Sequence, residues 1–113
     1  MAEQPAPAPR HFRAATRKWW DMVVSTYELE SHHLKVLALA CAAWERAEEA
    51  RAVIKREGCF DKDRFGTRRA HPAVAVERDA STLFARLVRE LDLDVDAAPD
   101  TARPPQLRRY HDA

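Results

Sequence analysis

Glycine is nearly missing from this chain. Two stand among its 113 residues, Gly58 and Gly66. A phosphate-cradling loop needs several glycines so that backbone N–H groups can approach the phosphates. Neither glycine here is followed by Lys-Ser or Lys-Thr, so the chain is not expected to be a nucleotide-driven motor by itself. Proline is scarce in the interior as well: of seven prolines, only Pro72 lies outside the two ends. No apolar run approaches the length of a membrane span, and the N-terminus lacks the apolar core of a secretory signal. Cysteine is limited to Cys41 and Cys59, which fits a reduced, cytoplasmic protein.

Catalytic and metal-binding patterns are missing too. His32, His33, Cys41, Cys59 and His71 do not have zinc-ligand spacing. There is no nucleophilic serine motif. Glu28, Glu30, Glu45, Glu48 and Glu49 read as solvated helix faces rather than as paired catalytic carboxylates. The expectation is a protein without catalytic residues, metal or cofactor. Net charge is only +1, so bulk charge does not announce a nucleic-acid partner. The distribution says more, because basic ends and a basic linker alternate with acidic helical stretches.

What is present is helix. Residues 1–11 form a Pro/Ala-rich segment expected to be disordered, residues 12–93 a single foldable domain, and residues 94–113 a flexible tail of acids, prolines and arginines. A first helix is expected over about 12–27. Phe12, Ala15, Trp19, Met22, Val23 and Tyr27 recur at three- and four-residue steps and would form its buried face. Two adjacent tryptophans cannot both point inward, so Trp20 is assigned to the core edge or to a neighbouring subunit. A second helix is expected over about 31–57, with Ser31 as N-cap and Gly58 as the stop. It carries two apolar stripes. One is Leu34, Leu37, Cys41 and Trp44; the other is Leu39, Ala43, Ala50 and Ile54. Two such faces on one long helix suggest burial on two sides, and Trp20, Leu39, Ala43 and Ile54 are the candidate oligomer contacts.

Residues 58–71 break the helices, as a small hairpin or as an irregular loop. Pro72 suits the first position of a third helix, whose apolar face would be Val76, Ala80, Leu83, Phe84, Leu87, Val88 and Leu91. The expected fold is therefore all-α, with three main helices and a short loop or hairpin between the second and third. The break carries Arg64, Arg68 and Arg69, and the first helix carries Arg13, Arg17 and Lys18. Arginine and lysine in such positions suit phosphate contact, and they also suit plain solubility. A helix-turn-helix over 12–57 fits poorly, since an acidic helix with Glu45, Glu48, Glu49 and Glu57 does not suit the major groove.

Taken in order, several short patterns resemble the small terminase subunits of tailed phages. They are Trp19-Trp20 followed by Tyr27-Glu28-Leu29, then Leu34-x-x-Leu37, Ala40-Cys41 and Arg46. Gly58, Gly66, His71-Pro72 and Glu77 follow, and then Leu83-x-x-x-Leu87 with Glu90-Leu91-Asp92-Leu93. The likeness covers about residues 12–93. Family members commonly show glycine where this chain has Asp92. The resemblance implies a helical, non-catalytic protein that forms a homo-oligomeric ring in the host cytoplasm. Such a protein recognises double-stranded viral DNA and presents it to a large subunit, which supplies ATPase and nuclease. It also offers the large subunit as a partner for the tail, where Arg103 precedes the stiff Pro104-Pro105 pair and Leu107, Arg108 and Tyr110 follow it. A helical DNA-binding regulator and a protein-only adaptor remain as alternative readings.

Overall fold

The computed structural model describes residues 6–93. Three helices and one short hairpin follow in order: α1 (Ala14–Thr26), α2 (Ser31–Glu57), β1 (Phe60–Lys62), β2 (Arg68–Ala70) and α3 (Pro72–Leu91). The all-α expectation holds, and the break between α2 and α3 is a hairpin rather than an irregular loop.

The frame is the antiparallel pair of α2 and α3. Ala40, Ala43, Ala47 and Ala50 of α2 are all buried, as are Ala73 and Ala80 of α3. Three- and four-residue steps on α2 and a seven-residue step on α3 keep them on one side of each helix, and small side chains let the two backbones come close. Contacts along the pair fix the direction. Glu57 meets His71, Arg51 meets Glu77, and Trp44 packs on Phe84 with ring centroids 5.0 Å apart. At the far end Leu37 and Leu91 enter one core cluster. With 27 residues, α2 is about 40 Å long.

α1 covers one flank of this pair. Its buried positions are Thr16, Trp20 and Val23, not the arc through Ala15, Trp19 and Met22 that the apolar pattern favoured. Trp20 is 3% exposed and donates its indole N–H to the carbonyl of Ala6 at 3.0 Å. The assignment of Trp20 to a neighbouring subunit is therefore corrected: its ring is consumed inside the chain's own core. Trp19 takes the half-buried flank and rests on Phe84, 5.7 Å between centroids. Thr16 explains the misread face. A polar residue at the centre of the buried arc breaks the apolar period, and it is tolerated because its hydroxyl bonds the Glu45 carboxylate.

Residues of the Pro/Ala-rich segment also take part in the packing. Ala6 and Ala8 pack on the core cluster, and Phe12 is buried in it.

Helix ends are specified locally. Glu30, one residue before Ser31, is the N-cap of α2, and its N–H donates to His33 Nδ1 at 3.0 Å. Gly58 stops the helix with φ 92°, a conformation that costs glycine little. Pro72 occupies the first turn of α3. At the other end of α3, Asp92 is the C-cap in the left-handed region, φ 59° and ψ 43°. This is the position where the small terminase pattern commonly carries glycine. Asp92 tolerates the conformation at a cost, and its carboxylate also opposes the negative end of the helix dipole. Asp92→Gly is expected to stabilise the domain by about 0.5–1 kcal/mol, after allowing for the greater freedom of glycine in the unfolded chain. Thermal unfolding of the two proteins checks this, and an unchanged or lower midpoint for Asp92→Gly refutes it.

Candidate nucleic-acid interface

The hairpin is short and fully specified. Phe60 pairs with Ala70, Asp61 with Arg69 and Lys62 with Arg68. Its five-residue turn is built around Asp63. The Asp63 carboxylate accepts from the N–H groups of Phe65 and Thr67, both at 2.9 Å, and its backbone carbonyl accepts from Gly66. This is the local side-chain competition with backbone that makes aspartate a turn residue. Gly66 closes the turn with φ 83°.

A two-stranded hairpin alone is marginal, and this one is clamped at its base. The His71 N–H donates to the Cys59 carbonyl at 2.8 Å. His71 Nδ1 accepts from the N–H of Ala73 at 3.0 Å, capping α3. The acceptor role of Nδ1 puts the ring proton on Nε2, which donates to Glu57 Oε1 at 2.8 Å. One imidazole thus ties the last residue of α2 to the first turn of α3.

The basic residues singled out in the sequence divide by their partners. Arg69 donates through Nε to Asp61 Oδ1 at 2.9 Å, across the strands. Arg68 stacks its guanidinium over the Phe60 ring, 4.5 Å from the centroid. Arg64 lies 5.4 Å from the centroid of its neighbour Phe65. On α1, Arg13 is the N-cap and is held on α2: its N–H donates to Glu45 Oε2 at 2.7 Å and its guanidinium bonds Glu48. Arg17 and Lys18 are exposed, and neither side chain makes a hydrogen bond or ion pair among the described residues. The structure does not bring the two groups of cations together. From Glu48, which meets Arg13, to Glu57 at the hairpin base, α2 rises about 14 Å. Lys62 was not singled out from the sequence. Its signal was the alternation within Phe60-Asp61-Lys62, which places Lys62 opposite Arg68 once the strands pair.

The candidate subunit contacts divide as well. Ala43 is buried in the α2–α3 seam and, like Trp20, has no surface left for a neighbour. Ile54 is half-buried and Leu39 is 57% exposed. Leu39 stands two residues from both Leu37 and Cys41, hence about 200° around the helix from the side that meets α1. Val76 and Leu83, seven residues apart on one face of α3, are also exposed. Arg103, Leu107, Arg108 and Tyr110 lie outside the described residues.

Among the described residues, nothing in the arrangement suggests covalent chemistry. Burial, reinforced by the charge of Glu45, pushes the Cys41 thiol up to about 12, so it stays protonated and inert. No group of three potential metal-ligating side chains occurs among the described residues. No helix among them is long and apolar enough to cross a membrane.

A sequence profile of the family described as "Phage terminase, small subunit" matches residues 16–105. The chain belongs to the phage terminase small subunit family. That membership places it in phage DNA packaging, and it agrees with the resemblance read from the short patterns. No curated protein and no solved structure matches the chain.

The carboxylates of this small subunit make its hairpin sensitive to acid. The hydrogen bond from His71 holds Glu57 below its ordinary 4.5, and the hydrogen bond from Arg69 holds Asp61 below its ordinary 3.8. A depressed folded pKa stabilises fully above the unfolded value and is lost as pH falls through the folded one. The stability that Glu57 and Asp61 contribute to the hairpin should therefore be fully present above about pH 4.5 and be lost below it. NMR of the Arg69 Nε–H and the hairpin amides across an acid titration checks this. Asp61→Asn should remove the Arg69 response while leaving the α2–α3 core signals in place. An Arg69 signal that follows the same acid transition in Asp61→Asn contradicts the assignment.

Proposed function

We propose that this small subunit, acting without catalysis of its own in the host cytoplasm, binds double-stranded viral DNA and presents it to a large terminase subunit that carries the ATPase and nuclease. The observation that carries this reading is the hairpin. In a member of a DNA-packaging family, a clamped ribbon holds Lys62, Arg64, Arg68 and Arg69 in solvent beyond the helical pair. Lys62, Arg64 and Arg68 are the phosphate contacts of this reading, with Arg17 and Lys18 as a second patch. Arg13 and Arg69 have carboxylate partners and chiefly hold the fold.

Several copies act together in this reading, as a ring. The supporting feature is the flank of the α2–α3 pair turned away from α1, where Leu39, Val76 and Leu83 are exposed. Covering that flank with a neighbour would remove apolar surface that three helices cannot cover. A ring also multiplies weak per-chain DNA contacts through effective concentration, so a net charge of +1 is no obstacle. The tail containing Leu107 and Tyr110 is proposed as the segment that engages the large subunit.

Purified protein should retain double-stranded DNA at low salt and release it at high salt. A wild-type protein that retains none at low salt refutes the DNA reading. Mass photometry should show more than four chains in the wild type and smaller species for Leu39→Glu. A monomeric wild type at micromolar concentration rules out the ring. Removal of residues 99–113 should leave the oligomer mass unchanged and reduce capture of the large subunit in a pull-down; undiminished capture removes the tail from this role.

A further inference from the structure

The two faces of the hairpin are chemically different, and the difference follows from its register. In an antiparallel pair, directly opposed residues share a face and the faces alternate along the strand. Asp61 and Arg69 share one face and neutralise each other. Phe60, Lys62, Arg68 and Ala70 share the other. There Lys62 stands directly opposite Arg68, and like charges so placed destabilise a strand pair. Neither has an ion-pair partner among the described residues, and the Asp63 carboxylate is occupied in the turn. Stacking on Phe60 fixes the plane of the Arg68 guanidinium without using its N–H groups, and Arg68 donates no hydrogen bond among the described residues.

The tip adds a second, independent feature. Phe65 is 80% exposed, more than any other large apolar side chain among the described residues. Its presentation is not loose. The turn that carries it is fixed by the Asp63 carboxylate, by the Gly66 N–H on the Asp63 carbonyl, and by the Asp63 N–H on the Thr67 carbonyl, each at 2.9 Å. The base of the ribbon is fixed by His71 and Glu57. A rigid turn therefore holds an aromatic ring in water, beside Arg64 and ahead of two unneutralised cations. This combination matches a partner with regularly spaced anions flanking an apolar stack, which is the chemistry of duplex nucleic acid.

We propose that the Lys62/Arg68 face of the hairpin grips the two phosphate walls of a DNA groove while Phe65 enters the groove and wedges against a base step. The inference rests on the DNA-binding reading above and specifies its contact. Lys62 and Arg68 supply sequence-independent attraction. Phe65 supplies an apolar wedge of the kind that unstacks a step and bends the duplex. Arg69 braces the ribbon from its opposite face. Steps that unstack easily, pyrimidine followed by purine, should be preferred without any hydrogen-bonded readout of bases.

The test uses the full chain and a short duplex labelled at both ends for energy transfer, with a 2-aminopurine at a central pyrimidine–purine step. Wild type should bend the duplex and brighten the 2-aminopurine as that base unstacks. Phe65→Ala should abolish both signals and weaken binding about tenfold, with the salt dependence unchanged. The double variant Lys62→Ala, Arg68→Ala should flatten the slope of log affinity against log salt by about 1.8 for each hairpin engaged. Arg69→Ala should leave that slope unchanged. Circular dichroism and mass photometry of each variant report fold and assembly. If wild type binds the duplex but Phe65→Ala leaves bending and affinity unaltered, the wedge is wrong while the DNA reading stands. If Phe65→Ala instead lowers the oligomer mass and each chain still binds DNA as before, the tip seats on a second copy and the proposal is overturned. Failure of wild type to bind the duplex at low salt overturns both readings.

Discussion

Close approach of α2 and α3 along their alanine seam is the constraint on which the rest of the molecule depends. Ala40, Ala43, Ala47 and Ala50 of α2 and Ala73 and Ala80 of α3 are all buried along this pair. The pair can only form if the chain reverses within the residues between Glu57 and Pro72. That requirement sets the hairpin at one end of the pair. It also brings Leu37 and Leu91 together at the other end, where α1 adds Trp20 and Val23. Substituting a larger residue in the seam would alter both ends at once, since helices pushed apart move the hairpin base and the floor under α1.

Charge in this chain is divided between holding and offering. Burial alone would raise Glu45, yet the Thr16 hydroxyl, the Arg13 N–H and the nearby Arg13 charge outweigh it and hold its carboxyl below the usual value. Glu45 thereby anchors α1 to α2 and places a negative charge at the N-terminus of α1, where the helix dipole favours it. Glu57 and Asp61 do the same for the hairpin and its clamp. Exposed ion pairs of this type contribute little stability singly. Their larger effect is geometric: they select which cations are tied down and which, like Lys62, Arg17 and Lys18, stay available.

The described fold also leaves a surplus. α1 covers one flank of the helical pair, and a chain of this length has no fourth helix among its described residues to cover the other. Small domains commonly resolve such a shortage by association. For the proposed association, the exposed Val76 and Leu83 of α3 and the exposed Leu39 of α2 would supply the surface. Within the proposed ring, each protomer would contribute one hairpin, so a modest contact repeats around the assembly.

Much of this was legible from the residues in order. Helix periodicity, Gly58 as a stop and Pro72 as a start are local signals, and they set the helices α2 and α3 to within a residue at each end. The family pattern was legible for the same reason, because it is carried by spacing. Three things were decided only by the tertiary structure. The first is the buried face of α1, because Thr16 is acceptable inside only when Glu45, on another helix, receives its hydroxyl. The second is the hairpin: residues 58–71 have weak intrinsic preference, and Asp61–Arg69 pairing together with the His71 clamp is what closes them into strands. The third is which basic side chains are free. Arg13 and Glu48 are 35 residues apart in the chain and bonded in space. A local pattern shows that a residue is charged; only the packed fold decides whether a partner already neutralises it.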